Sequence, residues 1–233
     1  MSREVVYGRN PVRELLRAGL RPAHRVLILP QLADEPWLAG APVERAQRAE
    51  LGRLAGTADH QGVVALTDPY PYAAASDLLA EPGPLVVLDG AQDPRNLGAI
   101  ARVAEGAGAA GLVIAERGTP GVTATVCKAS AGAVEHLPVA RVPSIAAFVH
   151  DAGGAGRPAV GADADRGEDY TTIAWPPDAL LVLGSEGEGL RPRVREACSV
   201  LARIPMAGRV NSLNLSVAAG VLLFRMREAL QAR

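Results

Sequence analysis

Residues 204–223 run Ile204-Pro-Met-Ala-Gly-Arg-Val-Asn-Ser-Leu-Asn-Leu-Ser-Val-Ala-Ala-Gly-Val-Leu-Leu223. The first half of this segment is polar and rich in turn-forming residues, whereas the second half is small and apolar with helical spacing. Buried polar groups must find hydrogen-bond partners, so a polar loop beside a buried helix indicates more than packing. The segment therefore predicts a functional loop that leads into a packed helix over residues 213–230.

The composition is that of a globular protein with an uneven distribution of charge. The chain has 233 residues, of which 48% are hydrophobic and 21% charged, and its net charge is -1. This length allows one large domain or two small ones. Six arginines against two glutamates within residues 1–25 form a basic patch, which favours contact with nucleic acid. Arg9, Arg13 and Arg17 are the candidates for phosphate contacts.

The cysteines and the absence of a targeting signal indicate a cytoplasmic protein. Cys127 and Cys198 lie far apart in no metal-ligand spacing, so we expect two small apolar residues in a reducing compartment. Residues 1–7 contain no apolar region typical of a signal peptide, and no apolar stretch is long enough to cross a membrane. We therefore expect neither a membrane nor a metal site. The four histidines are scattered and are expected at the surface or as caps.

Strands and helices alternate from residue 85 onward. Apolar runs predict strands at residues 85–88, 112–115, 137–140, 158–162, 180–183 and 200–204. Helical spacing predicts helices at residues 97–107, 123–132, 144–152, 192–197 and 213–230, with a turn at 153–156. Continuous apolar strands that alternate with helices are typical of an α/β protein with a mostly parallel sheet covered on both faces.

Residues 1–69 predict a small N-terminal α/β domain. A helix opens at Asn10-Pro11, strands follow at 26–29 and 62–66, residues 31–42 form a loop, and 43–55 form a charged surface helix. The proline-rich segments 68–72 and 81–84 bracket a weakly patterned stretch. The predicted organisation is therefore a domain over 1–69, a linker over 70–84 and a larger domain over 85–233.

Three polar loops follow predicted strands, at residues 89–96, 184–190 and 205–212. Ligands of open α/β sheets bind at the carboxyl ends of strands, so we expect these loops to share one pocket. The segment at 106–111 matches G-x-G-x-x-G, but it ends a helix where a dinucleotide site would open one. We interpret it as a helix C-cap followed by a turn.

At these loops the sequence resembles the SpoU family of RNA ribose 2′-O-methyltransferases, in the SPOUT superfamily. The resemblance rests on Asn96-Leu-Gly-Ala-Ile-Ala-Arg102, on Leu181-Val-Leu-Gly-Ser-Glu-Gly-Glu-Gly-Leu190 and on residues 204–218. Residues 6–12 and 60–63 resemble the L30e-like substrate-binding domain of bacterial 23S ribosomal RNA guanosine methyltransferases. The chain is thus similar to enzymes that methylate the 2′-hydroxyl of a ribose in RNA.

The resemblance implies a C-terminal trefoil knot, S-adenosylmethionine as cofactor, RNA as substrate and a homodimer formed through the last helix. The implied catalytic residues are Arg102, Asn96, Glu186, Ser212 and Asn214. The implied cofactor contacts are Gly184, Ile204, Met206 and Leu213. A guanidinium stays protonated, so we expect Arg102 to stabilise negative charge rather than to act as a base. Asn96 is equally expected as the N-cap of its helix.

Four functions stay open on the sequence alone: ribose methylation of ribosomal RNA, the same reaction on transfer RNA, a non-catalytic RNA-binding module, and an α/β enzyme for another nucleotide. The N-terminal domain favours ribosomal over transfer RNA. The intact Asn96, Glu186, Ser212 and Asn214 count against a decayed enzyme. The position of the glycines at 106–111 counts against the fourth function.

Overall fold

The structure is a computed structural model that describes residues 3–231. Residues 3–67, here called the N-terminal unit, contain a four-stranded sheet in the order β1-β4-β2-β3. Its strands are β1 (Glu4–Tyr7), β2 (Ala23–Ile28), β3 (Val43–Arg45) and β4 (Val63–Thr67). Two helices accompany it, α1 (Arg9–Ala18) and α2 (Arg48–Ala55).

Residues 85–231, here called the C-terminal unit, contain a seven-stranded sheet in the order β7-β6-β5-β10-β8-β11-β9. Its strands are β5 (Leu85–Leu88), β6 (Gly111–Ala115), β7 (Val139–Val142), β8 (Ala159–Ala162), β9 (Glu168–Asp169), β10 (Leu180–Leu183) and β11 (Val200–Arg203). Every neighbouring pair in this sheet is parallel. The predicted α/β class with a mostly parallel sheet is confirmed.

Helices cover both faces of the parallel sheet. They are α4 (Pro94–Ala107), α5 (Ala124–Ala129), α6 (Ile145–Gly154), α7 (Pro192–Ala197) and α8 (Leu215–Gln231). Alternate residues of one strand point into two different cores: Val86 packs in the cluster that holds α4 and α8, and Val87 packs in the cluster that holds α6. This two-sided burial explains why the central strands are continuous apolar runs.

The segment 43–55 differs from its prediction as one surface helix. Residues Val43–Arg45 form β3, which pairs in parallel with β2 at the edge of the small sheet, and α2 begins only at Arg48. All three residues of β3 are exposed, so the strand is held by backbone hydrogen bonds and carries no apolar pattern. Two smaller differences are 3-10 turns at Pro30–Leu32 and Pro36–Leu38, and the extension of α6 to Gly154 into the predicted turn.

Residues 70–84 are packed against the C-terminal unit and contain a helix, α3 (Ala75–Ala80). The guanidinium of Arg157, which is 6% exposed, donates hydrogen bonds to the backbone carbonyls of Leu78, Leu79 and Glu81 at 2.9 to 3.1 Å. It also donates to the carbonyl of Asp178 at 2.9 Å. One side chain therefore satisfies two carbonyl groups in the last turn of α3 and a third just after it.

A buried ion pair joins the two units. Arg21 of the N-terminal unit donates to both carboxylate oxygens of Glu135 at 2.7 and 3.1 Å, and these side chains are 2% and 0% exposed. The same guanidinium bonds Glu4 at 2.8 Å and lies 5.4 Å from the ring centre of Tyr70. Burial by itself lowers the pKa of Arg21, but the hydrogen bonds and charge of Glu135 raise it above its usual value.

Cys127 and Lys128, both on α5, also lie at this junction. Burial, followed by the negative charge of Glu135, raises the pKa of the Cys127 thiol to about 12, so the thiol stays protonated. Lys128 is the only lysine of the chain, and its ammonium donates to the carbonyl of Asp59 at 3.0 Å. It also lies 5.7 Å from the ring centre of Tyr7. Helix α5 is thereby attached to the N-terminal unit.

Among residues 3–231, no helix has the length and apolar character needed to cross a membrane.

We expect Arg21→Ala to lower the free energy of unfolding by about 3–5 kcal/mol, because it leaves the carboxylate of Glu135 buried without a cation. Urea denaturation measures the change. The control is Arg25→Ala, whose partner Glu44 is 47% exposed; this substitution should cost far less stability, because water screens an exposed ion pair. Equal effects of the two substitutions would contradict the importance of the buried pair.

Candidate active site

Helix α4 begins three residues earlier than its sequence pattern predicts, and this frees Asn96. The N-cap is Asp93, whose carboxylate accepts a hydrogen bond from the backbone N–H of Arg95 at 2.8 Å, and Pro94 occupies the first helical position. The expectation that Asn96 caps this helix is therefore wrong. Its amide lies within the first turn and points to other partners.

Asn96, Glu186 and Asn214 form a hydrogen-bonded cluster, here called the amide–carboxylate cluster. The side-chain amide of Asn96 donates to Glu186 Oε1 at 2.6 Å, and that of Asn214 donates to the same oxygen at 3.0 Å. Asn214 Nδ2 also lies 3.3 Å from Asn96 Oδ1. The three loops that follow β5, β10 and β11 thus meet as the sequence predicts, although β8 lies between β10 and β11.

The third loop is anchored at the start of α8. Asn214 Oδ1 accepts hydrogen bonds from the backbone N–H of Ser216 at 2.9 Å and from its hydroxyl at 2.6 Å. Asn214 therefore caps the last helix with its oxygen and bonds Glu186 with its nitrogen. One side chain couples the position of α8 to the amide–carboxylate cluster.

A buried acid that the sequence analysis did not select holds the second loop in place. The carboxylate of Asp89, directly after β5, is fully buried and accepts from the backbone N–H of Arg191 at 2.9 Å and from its Nε at 2.6 Å. The pair ties the end of the loop at residues 184–190 to the end of β5. The position of Asp89 directly after an apolar strand could have indicated this role. A carboxylate buried there needs a hydrogen-bonding partner.

Gly184 is required by the shape of its own loop. The backbones of Ser185 and Gly189 exchange two hydrogen bonds at 3.0 and 3.1 Å, which folds the loop back on itself. A Cβ at Gly184 would lie 2.1 Å from the carbonyl carbon of Gly189 and 2.4 Å from the nitrogen of Leu190. No side chain fits there.

A pocket of about 550 Å³ opens beside the amide–carboxylate cluster. Its walls include the predicted residues Gly184, Glu186, Ile204, Met206, Ser212, Leu213 and Asn214. Four carboxylates line it against one guanidinium, that of Arg195, which is itself paired with Asp163 at 3.0 Å. The volume is that of a small-molecule site, and the excess of acids favours a cationic ligand.

Arg102 lies apart from this pocket. It is exposed on α4, two turns beyond Asn96, and lines a groove of about 300 Å³ together with Glu14, Glu105, Ser130, Ala133 and His136. This groove, here called the Arg102 groove, lies where α1 meets the C-terminal unit. The structure of one chain thus brings the predicted catalytic residues together except for Arg102.

The three predicted RNA-binding arginines all belong to α1, and all have acidic partners. Arg9 pairs with Glu35 at 3.2 Å. Arg13 and Arg17 both pair with Glu14 Oε1, at 2.9 and 3.1 Å. Glu14 Oε2 also contacts His136 of the C-terminal unit at 3.1 Å. Two cations share one carboxylate, so the exposed end of α1 keeps a positive charge.

The remaining candidate groups are structural. His60 is fully buried, and its Nδ1 accepts a hydrogen bond from the backbone N–H of Gly62 at 3.1 Å, so it is a turn cap but not a surface residue. The glycine-rich segment at 106–111 does contain a C-cap, Gly108, in the left-handed conformation. Within the part of the chain that the structure describes, no group of three or more His, Cys, Asp or Glu could hold a metal ion.

We expect Gly184→Ala to lower the free energy of unfolding by at least about 2 kcal/mol, because the new Cβ overlaps backbone atoms that cannot move without opening the loop. The control Gly208→Ala meets no atom within 4 Å at its Cβ and should change stability by less than about 0.5 kcal/mol. Thermal unfolding of both variants measures the difference. A Gly184→Ala protein as stable as the control would show that the loop is not rigid.

Two family models match the chain, one on each side of the packed segment. The model of the SpoU rRNA Methylase family matches residues 83–224. A second model, described as RNA 2′-O ribose methyltransferase substrate binding, matches residues 5–73. The first match includes the whole amide–carboxylate cluster and the 550 Å³ pocket beside it.

Curated relatives are similar over most of the chain. An uncharacterized tRNA/rRNA methyltransferase of Mycolicibacterium vanbaalenii is 41% identical over 94% of this chain and 74% of its own length. A putative TrmH family tRNA/rRNA methyltransferase of Bacillus subtilis, YacO, is 42% identical over 80% of this chain and 77% of its own.

Solved structures share the whole fold. An AdoMet-bound rRNA methyltransferase from Sinorhizobium meliloti is 28% identical with a TM-score of 0.82, covering 98% of this chain and 88% of its own. The SpoU methyltransferase AviRb from Streptomyces viridochromogenes, in complex with AdoMet, is 26% identical with a TM-score of 0.82, covering 99% and 91%. The resemblance seen in the three loops is confirmed, and the chain belongs to the SpoU rRNA methylase family of methyltransferases.

Proposed function

We propose that the protein transfers a methyl group from S-adenosylmethionine to the 2′-hydroxyl of a ribose in RNA, and that its substrate is a guanosine of 23S ribosomal RNA. The observation that carries the proposal is the amide–carboxylate cluster at the mouth of an acidic pocket. Three loops separated by up to 118 residues hold each other's polar groups there. Such an arrangement fits a ligand held beside a polar reacting group.

The pocket suits the cofactor in size and charge. Gly184, Ile204, Met206 and Leu213 would hold it, since a small or apolar side chain at these positions leaves the neighbouring backbone groups free to bind a base. Met206 and Leu213 are 36% and 37% exposed, so their apolar side chains are accessible to a ligand in the pocket. When bound, the sulfonium supplies the methyl group and loses its positive charge as the group leaves.

The residues of the chain would position the ribose and stabilise charge at its oxygen. Ser212 and Asn214 offer donor and acceptor groups at the pocket mouth, and Glu186 fixes the amides of Asn96 and Asn214. Holding two reactants in line removes much of the entropic barrier to transfer. As the 2′-hydroxyl loses its proton to water, a cation stabilises the oxygen, and a guanidinium that never deprotonates fits that task.

Arg102 is assigned this role even though it does not line the pocket of its own chain. It lies six residues beyond Asn96 on α4, which is about 9 Å along the helix axis. The Arg102 groove holds this guanidinium and His136 beside Glu14 of α1, so an RNA phosphate that pairs with Arg102 there would be close to the ribose under attack. In a homodimer, the groove of one subunit could complete the pocket of the other.

The N-terminal unit supports ribosomal RNA as the substrate. The family model over residues 5–73 describes RNA substrate binding, and the helix α1 within it carries Arg9, Arg13 and Arg17. The two unpaired cysteines suit a reducing compartment, and the proposal puts the reaction in the cytoplasm. Methylation of transfer RNA is the alternative outcome of the test, because both relatives carry the double name tRNA/rRNA methyltransferase.

The proposal includes a homodimer and a knotted C-terminal segment. Val217 and Phe224, seven residues apart on one face of α8, are 52% and 46% exposed. The opposite face of α8 is buried against α4, and Arg227 donates to the carbonyl of Gly106 at 3.1 Å. An L30e-like fold of the N-terminal unit, and a trefoil knot that holds α8 in place, complete the family architecture.

Methyl transfer from labelled S-adenosylmethionine should occur on 23S ribosomal RNA that lacks the modification, and nuclease mapping should find one 2′-O-methylguanosine. Arg102→Ala should keep the calorimetric affinity for the cofactor and lose at least about 10²-fold in rate, because it removes charge stabilisation of the transition state. The control is Arg95→Ala, an exposed arginine of the same helix, which should retain the rate.

Each outcome bears on a different part of the proposal. Absence of cofactor binding would exclude a methyltransferase. A methylated base, or a methylated transfer RNA only, would overturn the assigned product or substrate. A wild-type rate in Arg102→Ala would remove Arg102 from the mechanism while leaving the reaction intact.

Light scattering at micromolar concentration should give twice the mass of one chain. We expect Val217→Asp combined with Phe224→Asp to shift the protein to a monomer, because two carboxylates on this face cannot be buried unpaired. Leu20→Asp, on an apolar residue of the N-terminal unit that is 45% exposed, should leave the mass unchanged. A monomeric wild-type protein contradicts the dimer.

A further inference from the structure

A groove on the N-terminal unit contains two of the candidate RNA-binding arginines, Arg13 and Arg17, beside residues to which no role has been given. Its volume is about 620 Å³, and it runs between α1 and residues 36–42. We call it the Trp37 groove. Its walls are Arg13, Leu16, Arg17, Ala23, Pro36, Trp37, Ala39, Gly40, Ala41 and Pro42. The combination of one aromatic ring, small apolar residues and two arginines is unlike the acidic pocket near Asn214.

Trp37 is held at the wall of this groove by a chain of polar contacts. Its indole Nε1 donates to Glu35 Oε2 at 3.0 Å, and Glu35 Oε1 pairs with Arg9 at 3.2 Å. The side chain is partly exposed, whereas the other tryptophan, Trp175, is fully buried. Trp37 also packs in part against the hydrophobic core, so the ring is fixed and its solvent-accessible part is a pre-formed surface for stacking.

The charges around the groove favour an anion. Arg13 and Arg17 line it, and their side chains are 36% and 60% exposed. Both share a single oxygen of Glu14, so the pair keeps a net positive charge. A phosphate group that binds in the groove would gain two guanidinium partners, and it would weaken the ion pairs that Arg13 and Arg17 form with Glu14 Oε1.

We propose that the Trp37 groove binds one unpaired nucleotide of the RNA substrate, with its base stacked on Trp37 and its phosphate at Arg13 and Arg17. This rests on the proposed function in one respect, that the substrate is RNA. Proteins recognise splayed-out bases of RNA by stacking them on aromatic side chains beside basic residues. The groove offers both groups within one concave surface on the unit that the family model associates with RNA substrate.

The position of α1 connects this groove to the reaction. Arg13 and Arg17 line the Trp37 groove, while Glu14 of the same helix lines the Arg102 groove. An RNA strand that crosses α1, about 10–12 Å wide, would pass from one groove to the other. The unpaired nucleotide at Trp37 would therefore set which ribose reaches the amide–carboxylate cluster.

Tryptophan fluorescence and RNA affinity test the groove directly. Titration with single-stranded r(A)10 should quench the emission of the full-length protein, and the perfect duplex r(A)10·r(U)10 should quench it far less. Trp37→Phe should abolish the quenching, since Trp175 is shielded. Trp37→Ala should weaken r(A)10 binding about 5- to 150-fold, which corresponds to the loss of one stacked base. Trp37→Phe should weaken it less.

The matched controls separate stacking from loss of fold or of general charge. Leu20→Ala, an exposed apolar residue outside the groove, should bind r(A)10 as the wild type does, and all variants should keep the cofactor affinity. Arg17→Ala should reduce the salt dependence of binding by about one phosphate contact, whereas Arg53→Ala on α2 should not.

Unchanged affinity in Trp37→Ala, or equal quenching by the duplex, overturns the proposal. Quenching by an acidic peptide such as oligo-glutamate, but not by RNA, assigns the groove to a protein partner and also overturns it. In methyl-transfer assays, Trp37→Ala should raise KM for RNA and keep kcat. An unchanged KM would contradict RNA binding in the Trp37 groove but not the proposed methyl transfer. A wild-type protein that stacks r(A)10 without methylating any RNA contradicts only the proposed reaction.

Discussion

The parallel order of the large sheet is the constraint on which the site depends. Strand β10 is hydrogen-bonded in parallel to β5 on one side and to β8 on the other, so the chain leaves β5 and β10 at the same edge. Polar residues that follow these strands are therefore close in space although they are distant in sequence. The carboxylate of Glu186 then accepts hydrogen bonds from the side-chain amides of the other two loops. The buried pair of Asp89 and Arg191 fixes the loop that carries Glu186.

A second set of contacts sets the N-terminal unit at a defined position. Arg21 and Glu135 are buried together at the junction, Lys128 donates to the carbonyl of Asp59, and the hydroxyl of Tyr70 donates to the carbonyl of Val134. A cation and an anion enclosed in this way keep their geometry, because any displacement would leave a buried charge unpaired. Helix α1, with its basic end, is therefore held at a fixed distance from α4. Under the proposed function, an RNA bound by α1 would therefore lie at a fixed distance from the pocket.

The sequence predicted the parts of the fold whose signals are local. Apolar runs such as residues 85–88 and 180–183 gave the strands, and the polar residues after them gave the shared pocket. The edge strand β3 escaped because its three residues are exposed and carry no apolar pattern. Arg21 and Glu135 are 114 positions apart, and no local sequence pattern around either residue predicts that they pair. The same holds for the Trp37 groove, whose aromatic ring and arginines come from separate segments of the N-terminal unit.

The clamp that Arg157 forms on the end of α3 has a consequence for the connection between the units. Its guanidinium holds the carbonyl groups of Leu78, Leu79 and Glu81, and Gly83 is bonded through its N–H to the carboxylate of Asp178 at 2.7 Å. The connection is thus a rigid, packed segment and not a flexible linker. We expect limited proteolysis to spare this stretch in the folded protein, and we expect insertions here to be tolerated far less well than in an ordinary surface loop.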